Sequence, residues 1–194
     1  MKGTIAVFGA SSGTMDPVYY EAAFEMGARI ARAGYNMLFG GGDTGVMGAA
    51  ARGFHKAGGP IKGVAPTFFN VDGVLFEHCT EFVPTETMRE RKQIMEDSAD
   101  AFIIGPGGIG TFEEFFEILT LKQLERHNKP IVIYNVGGYY DEMIAMLEKT
   151  AAERFMTNKS MELFAVRTDA QGVLDYIENY DAKPMDISEL KDIR

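Results

Sequence analysis

The chain has 194 residues, 46% hydrophobic and 24% charged, which fits one globular domain with a full core. Its formal net charge of -9 disfavours a broad nucleic-acid-binding surface, although a small phosphorylated ligand needs only local positive potential. The one cysteine, Cys79, excludes a disulfide framework and a thiolate metal cluster. Because no apolar run has the form of a signal peptide or the length of a membrane span, we expect a cytoplasmic protein.

Alternating patterns of apolar residues predict strands and helices in turn along the chain. Apolar runs bounded by glycine, proline or polar residues predict strands at residues 5–8, 35–39, 61–65, 81–83, 101–104, 130–134 and 163–166. Apolar residues at helical spacing predict helices at residues 18–33, 46–56, 85–98, 111–125, 139–154 and 170–180. Pro17 suits the first turn of the first helix, and Gly34 suits a left-handed cap at its end. Residues 67–80 have no clean period and are interpreted as a surface excursion.

This alternation predicts an α/β fold, namely a Rossmann-like, doubly wound parallel sheet in a three-layer α/β/α arrangement. We assign residues 1–181 to a single domain and residues 182–194 to a short amphipathic C-terminal tail. In such a sheet the turns after the strands open at one edge, where ligands bind. Glycine-rich turns follow Phe8, Phe39, Ile104 and Val136.

The stretch AFIIGPGGIGTFEEFFE, residues 101–117, predicts an anion site. An apolar strand meets a glycine-rich turn, and Thr111 begins a helix with Glu113 and Glu114 in its first turn. Unpaired backbone N–H groups and the positive end of the helix would converge at the turn. Two carboxylates beside such a site are unexpected for a plain phosphate binder.

Other common nucleotide and metal sites are disfavoured. The dinucleotide pattern G-x-G-x-x-G occurs from Gly40 and from Gly105, but neither following strand ends in the acid that holds the ribose of NAD. The chain has no Gly-Lys pair, which the triphosphate-binding loop requires. His55, His78 and His127 lack the paired spacing of metal ligands and are interpreted as surface or packing residues.

Thr111 and Glu114 also have a purely structural interpretation. Thr-x-x-Glu is the capping box, in which the two side chains satisfy backbone donors at the start of a helix. The glycines before Thr111 expose more backbone than a capped helix needs, which favours a phosphate cradle instead. Glu114 would then lie about one helical turn away, on the order of 5 Å, where a carboxylate can face the anomeric carbon of a ribose.

The basic segment MRERK, residues 88–92, is either a solvated helix face or the local source of positive charge. Together with PGGIGTFEE, residues 106–114, it closely resembles the signature of the Lonely Guy family. The likeness extends to residues 8–12, 40–42 and 135–141. Members of that family are cytokinin riboside 5′-monophosphate phosphoribohydrolases, often mislabelled as lysine decarboxylases.

The resemblance implies hydrolysis of the N-glycosidic bond of a purine riboside 5′-monophosphate, with release of the free base and ribose 5-phosphate. It also implies a homodimer that needs no metal or organic cofactor. Arg91 and Glu114 match the catalytic pair. An acidic contact expected between residues 71 and 79 has two candidates, Asp72 and Glu77. The implied substrate-binding residues are Ser12, Gly42, Met88, Lys92, Gly107, Gly108, Ile109, Gly110, Thr111, Glu113 and Thr120.

The chemistry of the pair agrees with this activity. Glycosidic cleavage builds positive charge on the sugar, and we assign Glu114 to stabilise that charge or to activate water. Arg91 would orient the ribosyl phosphate and keep Glu114 ionised, since an adjacent cation lowers the pKa of a carboxyl group. Two alternatives stay open: a broader AMP or nucleoside-monophosphate nucleosidase, and a non-catalytic carrier of a nucleotide or molybdenum cofactor. Pyridoxal-dependent decarboxylation is disfavoured because no Schiff-base lysine with its partner is recognisable.

Overall fold

The computed structural model describes residues 2–69 and 74–182. Within these ranges the strands are β1 Thr4–Phe8, β2 Asn36–Phe39, β3 Ile61–Pro66, β4 Glu81–Thr85, β5 Ala101–Ile104, β6 Ile131–Tyr134 and β7 Ala165–Arg167. The α-helices are α1 Pro17–Arg32, α2 Gly45–Lys56, α3 Met88–Ser98, α4 Ile109–Gln123, α5 Asp141–Ala152 and α6 Ala170–Glu178. Short 3-10 helices occupy Thr67–Phe69, Val136–Gly138 and Asn158–Leu163.

The described strands form one parallel sheet in the order β4-β3-β2-β1-β5-β6-β7. Strand β1 lies at the centre, where Ile5 pairs with Met37 of β2 on one side and Ala101 of β5 on the other. From β1 the chain adds β2, β3 and β4 on one side of the sheet. It then returns to the centre and adds β5, β6 and β7 on the other side. This reversal beside β1 is the topological switch point, and the doubly wound fold is confirmed.

Alternation along β1 explains the three layers. Ile5 and Val7 face one side of the sheet and pack with residues of α1, α2 and α6, such as Met26 and Val173. Ala6 and Phe8 face the other side, among residues of α3, α4 and α5. Because successive side chains of a strand point to opposite faces, a strand buried on both faces is apolar throughout. The predicted α/β/α arrangement is confirmed.

Helix α1 begins as predicted, whereas α4 does not. Asp16 caps α1 by accepting a hydrogen bond from the Val18 N–H at 3.0 Å, with Pro17 as the first helical residue. Helix α4 begins at Ile109, and its N-cap is Gly108, which has no side chain to cap with. Thr111 is therefore inside the helix, Glu113 and Glu114 lie beyond the first turn, and the capping-box interpretation is wrong.

Residues 74–80 are more than the surface excursion expected from sequence. Leu75 forms an antiparallel bridge with Gly42, and the Phe76 N–H donates to the Gly41 carbonyl at 2.8 Å. The Phe76 side chain is buried in the core. The segment therefore folds back over the glycine turn that follows β2.

Two predictions of the sequence analysis concern the limits of the fold. The tail from residue 183 onward, with Ile187, Leu190 and Ile193, lies outside the described residues, and the domain boundary at residue 181 stays a prediction. Among the helices that the structure describes, none has both the length and the apolar character needed to cross a membrane.

Helices α1 and α2 touch through their backbones at two glycines. A Cβ added at Gly27 would lie 2.1 Å from the carbonyl oxygen of Ala50, and one at Gly53 would lie 2.0 Å from that of Phe24. In both cases the obstructing atom belongs to backbone, so no side-chain rotation relieves the clash. These glycines set how closely the two helices approach.

We expect Gly27→Ala to lower the free energy of unfolding by about 1–3 kcal/mol, because the overpacked helix pair must separate. The matched control is Gly172→Ala in α6, where the added Cβ would lie 3.2 Å from Cδ of Arg167, a movable side-chain atom. Alanine there should stabilise by up to about 1 kcal/mol through helix propensity alone. Urea denaturation measures both, and equal effects of the two substitutions would contradict the close approach.

Candidate active site

A cleft of about 460 Å³ lies at the carboxyl ends of β1, β2 and β5, next to the switch point. Three of the predicted glycine-rich turns form its walls. Residues 9–12 follow β1, residues 40 and 42 follow β2, and residues 108–111 open α4. Of the residues predicted from sequence, those that line the cleft are Ser12, Gly42, Met88, Arg91, Gly108, Ile109, Gly110, Thr111 and Glu114.

The turn between β5 and α4, residues 105–108, forms the glycine loop. Its Pro106 carbonyl accepts a hydrogen bond of 2.9 Å from the Ala10 N–H, which joins it to the turn after β1. A Cβ at Gly107 would lie 2.1 Å from Oγ1 of Thr111, so the loop folds tightly against the start of α4. Since Gly108 provides no capping side chain, the first backbone N–H groups of α4 have no side-chain acceptor at the N-cap and could donate to an anionic ligand.

Arg91 of α3 and Glu114 of α4 form a buried ion pair at the wall of the cleft. Arg91 Nη2 lies 3.0 Å from Glu114 Oε1, and the two side chains are only 8% and 7% exposed. Arg91 Nε also donates to the Val64 carbonyl at 3.2 Å. Two contacts therefore fix the plane of the guanidinium group. The ion pair in turn holds the carboxyl group of Glu114 beside the glycine loop.

Gly40 makes room for this guanidinium group. A Cβ at residue 40 would lie 2.2 Å from Arg91 Nη2, the same nitrogen that contacts Glu114. The first glycine of the turn after β2 is therefore needed for the ion pair rather than for a dinucleotide. This contact accounts for the first glycine of the G-x-G-x-x-G pattern, which here lacks the acid that NAD requires.

Burial decides the charge state of Glu114. Loss of water raises the pKa of this carboxyl group to about 7, although Arg91 lowers it by charge and by hydrogen bonding. The expected lowering of the pKa by Arg91 is thus present, but the effect of burial, which the sequence did not reveal, is larger. Arg91 offsets part of the cost of burial, and Glu114 carries both protonation states near neutral pH.

Three residues that were predicted to bind substrate do not line this cleft, namely Lys92, Glu113 and Thr120. Lys92 Nζ pairs with Glu113 and, at 2.9 Å, with Glu117, so its charge is directed along the outer face of α4. Thr120 lies exposed nearly two turns further along the same helix. Gly107 belongs to the loop but is not part of the cleft wall. Their assignment to substrate binding stays a prediction.

Sequence patterns predicted only Met88 in the apolar wall of the cleft and missed the other residues. Met47 and Met88 line it from α2 and α3, and Phe69, Val74 and Leu75 come from the segment between β3 and β4. Adjacent aromatic residues in a segment without periodicity were the available signal, because exposed apolar residues in a loop commonly mark a binding surface.

The two candidates for an acidic contact in this segment have different outcomes. Asp72 lies outside the described residues. Glu77 is exposed and is not part of the cleft wall.

The histidines pack as the sequence analysis expects. His55 and His78 stack with 4.4 Å between their ring centroids, and His127 Nε2 lies 2.9 Å from the Ile118 carbonyl oxygen. Burial lowers the pKa of His127 to about 4, so it is neutral at physiological pH. Within residues 2–69 and 74–182 no three His, Cys, Asp or Glu side chains cluster in a way that could hold a metal ion.

The sheet, the glycine loop at its switch point and the buried acid–cation pair define a Rossmann-like protein whose cleft has the chemistry to receive an anionic ligand. The sequence model of a family described as "Possible lysine decarboxylase" matches residues 47–177. The chain belongs to this family, known as the Lonely Guy family, and the resemblance seen in its motifs is confirmed.

Similar proteins from plants and bacteria cover most of the chain. A probable cytokinin riboside 5′-monophosphate phosphoribohydrolase of Oryza sativa subsp. japonica is 34% identical, covering 96% of this chain and 76% of the relative. A cytokinin riboside 5′-monophosphate phosphoribohydrolase of Mycobacterium tuberculosis is 37% identical, covering 88% and 91%. The molybdenum cofactor carrier protein of Chlamydomonas reinhardtii has a TM-score of 0.70 at 24% identity, covering 92% and 97%, and shares the fold.

We expect Arg91→Gln to raise the pKa of Glu114 above 7, because burial remains while the opposing cation is lost. The carboxyl group would then stay neutral to higher pH. Titration of 13C-labelled glutamate carboxyl groups by NMR measures the change, with folding checked by circular dichroism. Lys92→Gln is the matched control and should shift the pKa less, since Lys92 pairs with Glu113. An unchanged or lower pKa in Arg91→Gln would refute the coupling.

Proposed function

We propose that this protein hydrolyses the N-glycosidic bond of purine riboside 5′-monophosphates, including those of cytokinins, and releases the free base and ribose 5-phosphate. The observation that carries the proposal is the buried Arg91–Glu114 pair beside the glycine loop. A phosphate-binding turn alone fits many nucleotide carriers. An acid on the helix that follows this turn, with a pKa of about 7, fits cleavage of the sugar–base bond.

The phosphate is proposed to bind at the start of α4. Backbone N–H groups of residues 108–111 and the positive end of the helix favour an anion there. The protein is acidic overall, with a formal net charge of -9, so this local potential provides much of the attraction. A phosphate at Gly108 leaves the attached ribose within reach of Glu114, which lies further along the same helix.

Glu114 is proposed to act on the sugar carbon and on water. As the bond from the anomeric carbon to the base nitrogen breaks, its electron pair leaves with the base, and positive charge develops on the ribose. Ionised Glu114 stabilises that charge and accepts a proton from the attacking water, whose oxygen bonds to the anomeric carbon. The leaving base takes up a proton, so water has been added across the broken bond. Arg91 holds the carboxylate in place.

The base is proposed to lie against the apolar wall. Phe69, Val74 and Leu75, with Met47 and Met88, offer a surface for a purine ring or an apolar substituent on it. The names of the relatives from rice and Mycobacterium tuberculosis, both cytokinin riboside 5′-monophosphate phosphoribohydrolases, support this substrate class.

The family resemblance also bears on cofactors and on the oligomeric state. The reaction needs substrate and water, with no metal or organic cofactor, and we propose a cytoplasmic homodimer as the resemblance implies. Ile109, which is 86% exposed beside the cleft, is an apolar side chain that a second subunit would cover.

Incubation with AMP, GMP, CMP, UMP and isopentenyladenosine monophosphate tests the function. We expect the free base and ribose 5-phosphate in equal amounts from the purine substrates, with the highest kcat/KM for the isopentenyl compound because of the apolar wall. Chromatography of both products provides the measurement. Similar rates for all five nucleotides would favour the broad nucleosidase, whereas tight binding without any release of base would favour a carrier.

Glu114→Gln should lower kcat by about 10²–10⁴-fold while nucleotide binding persists, because the amide cannot accept the proton. Wild-type activity should rise with pH through about 7 as Glu114 ionises, and this rise should be absent from the residual activity of the variant. Rate measurements from pH 5 to 9, with AMP affinity from calorimetry, give both results. A variant that keeps wild-type turnover would remove Glu114 from the mechanism.

A further inference from the structure

Two adjacent tyrosines reach the glycine loop from the side of β6. The Tyr139 hydroxyl donates to the Gly107 carbonyl at 2.8 Å, and the Tyr140 hydroxyl donates to the Gly105 carbonyl at 2.7 Å. Tyr139 itself does not line the cleft. The fourth glycine-rich turn of the sequence therefore reaches the site through these hydroxyl groups.

The turn after β6 is built to hold these rings in place. The buried Asn135 side chain accepts a hydrogen bond from the Tyr140 N–H at 2.7 Å and donates to Asp141 Oδ1 at 2.7 Å. Gly137 and Gly138 have φ angles of 60° and 78°, which side-chain-bearing residues rarely adopt. The Tyr139 ring also packs edge-to-face against Tyr19 of α1, with 5.7 Å between centroids.

The bond to Gly107 fixes the direction of a donor. The described chain has no cis peptide bonds, and in a trans peptide the C=O and the following N–H point in opposite directions. When Tyr139 holds the Gly107 carbonyl, the Gly108 N–H points away from Tyr139. Gly108 lines the cleft. Within the described residues its N–H donates to no hydrogen-bond acceptor.

The two tyrosines hold peptides of different kinds. The Gly105 carbonyl, held by Tyr140, belongs to the peptide that joins Gly105 to Pro106, which has no N–H. Tyr140 therefore anchors the loop through a peptide that has no N–H to orient. Tyr139, in contrast, holds a peptide whose N–H belongs to Gly108.

We propose that Tyr139 is a positioning residue for the phosphate site: its hydroxyl orients the Gly107–Gly108 peptide so that the Gly108 N–H binds the 5′-phosphate. This inference rests on the proposed function in so far as the glycine loop receives a phosphate. It assigns to residues 135–141 a part in substrate binding.

Tyr139→Phe tests the proposal, because it removes the hydroxyl and keeps the ring. We expect the affinity for AMP and for ribose 5-phosphate to fall about tenfold, because the Gly108 N–H is no longer oriented and its hydrogen bond to the charged phosphate is weakened. Adenosine, which has no phosphate, should bind the variant and the wild type equally. In turnover, KM for AMP should rise with little change in kcat. Calorimetry with the three ligands gives the affinities.

Tyr19→Phe is the matched control, because it removes a hydroxyl from the neighbouring ring and leaves the bond to Gly107 in place. It should bind all three ligands as the wild type does. An unchanged affinity of Tyr139→Phe for ribose 5-phosphate would overturn the proposal, and so would an equal loss for adenosine and AMP. Wild-type protein that binds ribose 5-phosphate but never cleaves AMP would refute the proposed activity alone, since the binding comparison still decides the role of Tyr139.

Discussion

The buried contact between Arg91 and Glu114 is the constraint on which the site depends. Removing two charges from water is costly, so each needs the other together with further polar contacts. The structure meets this need with the Val64 carbonyl and with a glycine at residue 40, where any side chain would displace the guanidinium group. Four separate segments, namely the turn after β2, strand β3, helix α3 and helix α4, thus converge on one ion pair. Their packing fixes where the acid stands relative to the glycine loop.

A second set of charges runs alongside this pair on the outside. Lys92, the neighbour of Arg91, reaches Glu113, the neighbour of Glu114, and also Glu117 one turn further along α4. Exposed ion pairs contribute little to stability. Here the outer ion pairs help to align α3 with α4, because a shift of one helix along the other would break the inner and outer contacts together. The two motifs recognised in the sequence are therefore the two sides of a single helix–helix contact.

Much of this fold was predictable from sequence because the sheet is buried on both faces. Strands such as Ala101–Ile104 are then continuous apolar runs between glycine turns, which are easy to recognise. The start of α4 was missed because Gly108 caps it without a side chain. The fold-back of Leu75 onto Gly42 was missed because an isolated backbone bridge leaves no pattern in the sequence. Arg91 and Glu114 were recognisable as a motif. The pKa of Glu114 was not, since it depends on burial, which only the folded chain reveals.

The shared contact between α3 and α4 also bears on how such sequences diverge. If Glu114 were replaced by an uncharged residue in a relative, Arg91 would become an unpaired buried charge. Retaining it would destabilise the whole α3–α4 contact, so a viable descendant must alter both positions, and residue 40 is then free to accept a side chain. Covariation of these three positions among relatives would therefore follow the gain or loss of this buried ion pair.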